Sequence, residues 1–151
     1  MRKLILLALS IFSFSSLKLS AQNTSIFPKG EIATVNNHTG TVWLKELSEA
    51  DSTFNFSIAF ATFAPGAKLD WHIHPAGQVL LITEGVGYYQ EKGKPKQIVH
   101  KGDVIKCLPG VEHWHGATAE SAFSYIGNTP TQKGKTIWLK RVTEVEYQST
   151  N

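Results

Sequence analysis

The chain has 151 residues, 42% of them hydrophobic and 18% charged, with a single cysteine, Cys107. That length suits one domain with its own core, and one cysteine excludes an intramolecular disulfide framework. The formal net charge is +3, but three of the 15 basic residues (Arg2, Lys3 and Lys18) and none of the 12 acidic ones fall in the first 21 positions. The remainder is neutral, which removes the electrostatic support for a nucleic-acid-binding role.

The first element is MRKLILLALSIFSFSSLKLSA: two cations, an apolar run from Leu4 to about Phe14, then Leu19-Ser20-Ala21. This is the order of a secretory signal peptide, with an apolar stretch too short for a comfortable membrane span. Cleavage after Ala21 is expected, with no lipid-bearing cysteine at that point, giving an exported protein without a membrane anchor. Residues 22–40 are polar and turn-rich, with Pro28, Gly30 and Gly40, and read as an N-terminal arm. Residues 41–151 read as a single domain.

From Thr41 short apolar runs alternate with turn signals: TVWLKEL, FNFSIAFATF, QVLLITE, VGYYQEK, QIVH, DVIKCL and AFSYIG, separated by segments such as APGAK, GKPK, LPG and GNTP. Only VTEVEYQ, opened by Thr143 as a cap, has helical character. The pattern predicts an all-β sandwich or barrel. In FNFSIAFATF, Phe54, Phe56, Ile58 and Phe60 share one face, while Ala59, Ala61 and Phe63 share the other. The bulky face suits a second sheet or a second copy of the chain. The alanine face either walls a cavity serving as a substrate pocket or fits a tight barrel taper.

The stretch WHIHPAGQ, residues 71–78, places His72, His74 and Gln78 on one face if it is extended. The apolar run Val79 to Ile82 that follows suggests a strand buried on both faces. Buried imidazoles need partners, and one metal ion satisfies several at once; structural hydrogen bonding is the alternative. Further on, HWHGA presents His113 and His115 on one face after the turn Leu108-Pro109-Gly110. Four of six histidines thus fall in two H-x-H pairs that antiparallel strands can bring together. Trp71 and Trp114 lie on the opposite parity and read as packing, His38 and His100 as surface or turn residues, and Cys107 as a small buried filler.

These stretches resemble the cupin family. Gly66-x5-His72-x-His74-x3-Gln78-x6-Gly85 is similar to its first motif, and the segment from Gly102 through Pro109 to His113 to its second. Gln78 stands where most cupins carry a glutamate, and the asparagine usual after the second motif's histidine is absent. Both departures are shared by small single-domain cupins of the carboxymuconolactone-decarboxylase-associated subgroup. Within it, the manganese-dependent bacterial hydroxynitrile lyases are similar at HTGTV (38–42), HPAGQ (74–78), HWHGA (113–117) and the terminal WLKRVTEVEY (138–147).

The resemblance implies a double-sheet jelly-roll β-barrel with a short C-terminal helix, and a divalent metal held by His72, His74, Gln78 and His113. Three neutral imidazoles and an amide leave the ion its full Lewis acidity. Mn²⁺ is the expected metal, with Fe²⁺ or Zn²⁺ as alternatives. His115, two residues past a ligand, is expected to serve as catalytic acid or base, or to orient a ligand or water. The implied function is a metal-dependent lyase acting on a small hydroxy or carbonyl compound; the bulky face of Phe54, Phe56, Ile58 and Phe60, with the apolar second faces of the other strands, predicts a homodimer. A flavonol-cleaving type of cupin dioxygenase ranks below it, because Gln78 cannot accept a proton as a glutamate does; a non-enzymatic binding module is the third reading.

Overall fold

The computed structural model describes residues 25–149; the expected signal peptide, residues 1–21, lies outside them. In chain order the elements are β1 (Glu31–Ile32), β2 (His38–Thr39), β3 (Val42–Ser48), β4 (Phe56–Phe63), β5 (Lys68–Leu69), β6 (His72–Ile73), β7 (Gln78–Glu91), β8 (Gln97–His100), β9 (Val104–Cys107), β10 (His113–Ala117), β11 (Phe123–Pro130), β12 (Ile137–Trp138) and α1 (Glu144–Gln148). The turn-rich arm thus contributes two short strands, β1 on β3 and β2 on β5. Among the described residues no helix is long and apolar enough to cross a membrane.

QVLLITE and VGYYQEK, which the sequence presents as two strands, form the single 14-residue strand β7. Its first half pairs with β9 and β11, its second half with β8 and β10. One strand therefore feeds both sheets of the jelly roll. The change of sheet falls at Gly85, whose φ of 73° suits glycine, and a Cβ there would stand 1.7 Å from the Ala122 carbonyl oxygen. All the strand pairs are antiparallel.

Strand alternation sets the inner face. Ala61 and Phe63 on β4, Leu80 and Ile82 on β7, and Phe123 and Tyr125 on β11 form one buried core between the sheets. The outer face departs from expectation: Leu81 is 42% and Val104 55% exposed, so the first half of β7 is covered on one side only. Of that face, Phe60 is buried, with the Phe27 ring of the arm 5.8 Å away.

A second cluster lies outside the other sheet, where Trp71, Trp114, Val142 and Tyr147 pack together. It holds down α1, a helix too short to persist alone. Thr143 caps α1 in a capping box with Glu146. The Tyr147 hydroxyl donates to the Ala117 carbonyl at 2.9 Å, and Lys68, itself buried, pairs with Glu144 at 2.8 Å. All five residues of β10 are consequently buried, histidines inward and Trp114 outward.

Candidate metal centre

WHIHPAGQ is not one extended strand. β6 ends at Ile73, a turn follows in which the Gly77 amide donates to the His74 carbonyl at 3.0 Å, and β7 begins at Gln78. Gly77, at φ 83°, closes that turn. His74 and Gln78 therefore reach the site through a tight turn rather than by alternation. His113 on β10 is the cross-strand partner of His72 on β6, so the two H-x-H pairs do meet.

His72, His74 and His113 are all buried, and their ligand atoms lie within 4.8 Å of one another. Each ring is anchored at Nδ1. His72 donates to the Asp70 carbonyl at 2.8 Å, His113 to the Val111 carbonyl at 2.9 Å, and Thr136 Oγ1 lies 3.1 Å from Nδ1 of His74. A carbonyl only accepts, so His72 and His113 carry hydrogen at Nδ1 and a lone pair at Nε2. Those two Nε2 atoms are buried without a hydrogen-bond partner.

Burial, reinforced by the facing His113, holds the His72 pKa well below the ordinary imidazole value. The same two causes lower His74 to about 4, and burial lowers His113. The trio is thus neutral, the state in which imidazole ligates a metal. Gln78 shares the cavity wall with His72 and His74 and donates from Nε2 to Thr129 Oγ1 at 2.9 Å. Two orphaned lone pairs, a third neutral imidazole and an amide oxygen fit a divalent ion of intermediate softness.

His115 lies deeper. It is 1% exposed, neither ring nitrogen has a partner, and it sits edge-on to Tyr125 at 5.1 Å and to Phe63 at 6.4 Å. Its ring is 5.2 Å from that of His72. Burial, then the neighbouring His72 and His113, push its pKa well below the usual value.

A cavity of about 220 Å³ opens above His72, His74 and Gln78. Ala59, Ala61 and Phe63 form part of its wall, as the alternation of β4 requires. Its other walls are contributed by Val35 and His38 of the arm, Tyr125 and Thr129 of β11, and Thr136 and Trp138 near the C-terminus. His38, expected at the surface, thus faces the cavity. It reaches there because β2 pairs with β5, a contact a two-residue strand does not announce in sequence. Tyr125 and Thr129 share the parity of Gly127, but nothing in that stripe distinguishes a wall from a core. Among the described residues, no lysine, arginine, aspartate or glutamate lines the cavity. His100 is exposed, while Cys107 is buried, its thiol pushed up to about 12 by burial, and packs as a filler.

Comparison with known proteins agrees with this geometry. The model of the Cupin domain matches residues 59–126. An (R)-mandelonitrile lyase of Granulicella tundricola is 38% identical over 111 residues, 73% of this chain and 85% of that protein. The chain belongs to the cupin family. The crystal structure of a cupin-like protein from Thermotoga maritima, 42% identical, matches this cupin with a TM-score of 0.81 over 84% of this chain and 97% of that one. A polyketide cyclase from Streptomyces resistomycificus, 14% identical, matches at 0.60 over 79% and 85%. At that identity it shares the cupin fold and nothing more.

Proposed function

We propose that this cupin is a metal-dependent lyase, with His72, His74, Gln78 and His113 as ligands and Mn²⁺ as the first candidate metal, Fe²⁺ and Zn²⁺ following. The observation that carries the reading is the pair of buried, unpartnered Nε2 atoms on His72 and His113 beneath an otherwise mostly apolar cavity. The bound ion would supply Lewis acidity for a developing negative charge, since among the described residues no lysine or arginine lines the cavity to do so. The similarity to a mandelonitrile lyase supports a small 2-hydroxynitrile as substrate.

In that reaction the hydroxyl proton leaves for a base, the carbon–carbon bond breaks, and its electron pair departs with cyanide to leave a carbonyl. The cavity walls at Ala59, Ala61 and Phe63 hold the apolar part of the substrate. His115 is the proposed base: burial keeps it neutral with a free nitrogen, close to His72 and His113. We place the protein outside the cytoplasm after removal of residues 1–21, and as a homodimer joined through the exposed apolar face around Leu81 and Val104.

Release of benzaldehyde from racemic mandelonitrile tests the activity. The manganese-loaded protein is expected to release it and chelator-stripped protein is not. Equal rates in both forms, or oxygen uptake with quercetin and no benzaldehyde, would overturn the lyase reading.

A further inference from the structure

The four proposed ligands are held in two different ways. His72 and His113 hang from backbone carbonyls, which accept and never donate, so their tautomers are fixed by the chain itself. His74 and Gln78 hang from hydroxyls, those of Thr136 and Thr129, which can do either. A hydroxyl donating to His74 Nδ1 would force the ring proton to Nε2 and close the lone pair a metal needs. Likewise, the Gln78 amide turned over would present its NH₂ group in place of its oxygen.

Surrounding groups decide the direction at Gln78. Its Oε1 lies 4.0 Å from the Cys107 thiol, a weak donor, on the side away from Thr129. The oxygen therefore belongs there and Nε2 belongs at Thr129, which accepts at 2.9 Å. Thr129 is held in place by its register opposite Ser57 on β4.

At His74 the placement comes from the chain's C-terminal strap. β12 pairs Ile137 with Ile73 and Trp138 with His72. On either side of Trp71, the Leu139 amide donates to its carbonyl at 2.8 Å and its own amide donates to the Lys140 carbonyl at 3.0 Å. That pairing brings Thr136, the residue before β12, to His74. The Trp138 ring lies 4.9 Å from that of His72, so the strap touches two of the three histidines.

We infer that Thr129 and Thr136 are the positioning residues of the metal centre: each accepts a hydrogen bond from one ligand, so that Gln78 presents Oε1 and His74 presents Nε2 to the same point. The inference rests on the proposed metal reading. It makes the strap a working part of the site, although none of its residues is a ligand.

The test uses the full chain with Thr129 and Thr136 changed singly to valine, which keeps the shape and removes the acceptor, and to serine, which restores it. Mn²⁺ affinity is measured by competition titration, and the His74 tautomer of the metal-free protein by imidazole ¹⁵N shifts. Each valine variant is expected to bind Mn²⁺ at least about tenfold more weakly, the scale of losing a ligand's hydrogen-bond partner, and each serine variant to recover most of that loss. Thr136→Val is further expected to shift His74 from the Nδ1–H form toward a mixture; Thr129→Val is not. Should a valine variant fail to fold, alanine at that position carries the same comparison. Valine variants that bind as tightly as the unaltered chain, or serine variants as weak as valine, overturn the inference and leave the metal reading standing. An unaltered chain that binds no Mn²⁺ overturns both.

Discussion

His113 stands directly across from His72 in the β6–β10 pair, their ring centroids 4.4 Å apart. This one register joins two sequence segments 41 positions apart into a site. A slip of one residue would bring Glu112 or Trp114 opposite His72 and turn the imidazole away. The packing of Trp114 against Trp71 and Tyr147 on the far side of β10 holds the register.

Gln78 keeps the proposed ligand set uncharged. Gln78→Glu places a carboxylate there, and the Thr129 hydroxyl can turn to donate to it. Mn²⁺ is expected to bind at least as tightly, while cyanohydrin cleavage slows by an order of magnitude or so as the ion's effective charge falls. Titration and initial rates check this; unchanged turnover would mean that the charge of the set is irrelevant to the reaction.

Ala61 is buried at 2% exposure on the cavity wall. Ala61→Leu adds three heavy atoms there. Filling open space is expected to leave the melting temperature nearly unchanged and to abolish turnover, whereas overpacking a closed core costs about 1–3 kcal/mol. A lowered melting temperature with turnover intact would show that the alanines only fit a crowded interior.

The outer face of β7 and β9 exposes Leu81 and Val104, and Phe54 is 57% exposed. Light scattering at micromolar concentration is expected to give a dimer, and Leu81→Glu with Val104→Glu a monomer. A monomeric unaltered chain contradicts the assignment of that face.

Glu146 ties the end of the strap to α1. Its carboxylate accepts from the Thr143 amide at 2.9 Å and pairs with Lys140 at 2.7 Å. Burial alone would raise its pKa, but the Lys140 and Thr143 bonds outweigh it and bring it to about 2. A carboxyl whose folded value lies below the ordinary 4.5 contributes stability above that pH and loses it as pH falls toward about 2. The melting temperature is expected to decline across that window less steeply in Glu146→Gln than in the unaltered chain; equal slopes would rule out this role.

Much of the barrel was legible because period-two alternation is local: FSIAFATF sorts Ala59, Ala61 and Phe63 inward and Ile58 outward without any knowledge of neighbours. The capping signal at Thr143 was equally local. The continuity of β7 through Gly85 was not, because a glycine at positive φ that ends a strand and one that carries it between sheets read alike. His38 and Thr136 were invisible as site residues for a related reason. Two-residue strands carry no periodicity, and only long-range pairing with β5 and β6 brings them to the cavity. The H-x-H spacing revealed the histidines themselves, but not that a turn separates His74 from Gln78, nor that His115 packs edge-on to Phe63 and Tyr125.

Metal analysis of protein expressed with supplemented manganese, compared among the unaltered chain, His72→Ala, His113→Ala and His115→Ala, tests the central claim most directly. The unaltered chain and His115→Ala are expected to carry close to one ion per chain and the other two almost none, with turnover lost in all three variants. An unaltered chain free of metal, or His72→Ala and His113→Ala retaining it in full, would contradict the metal centre.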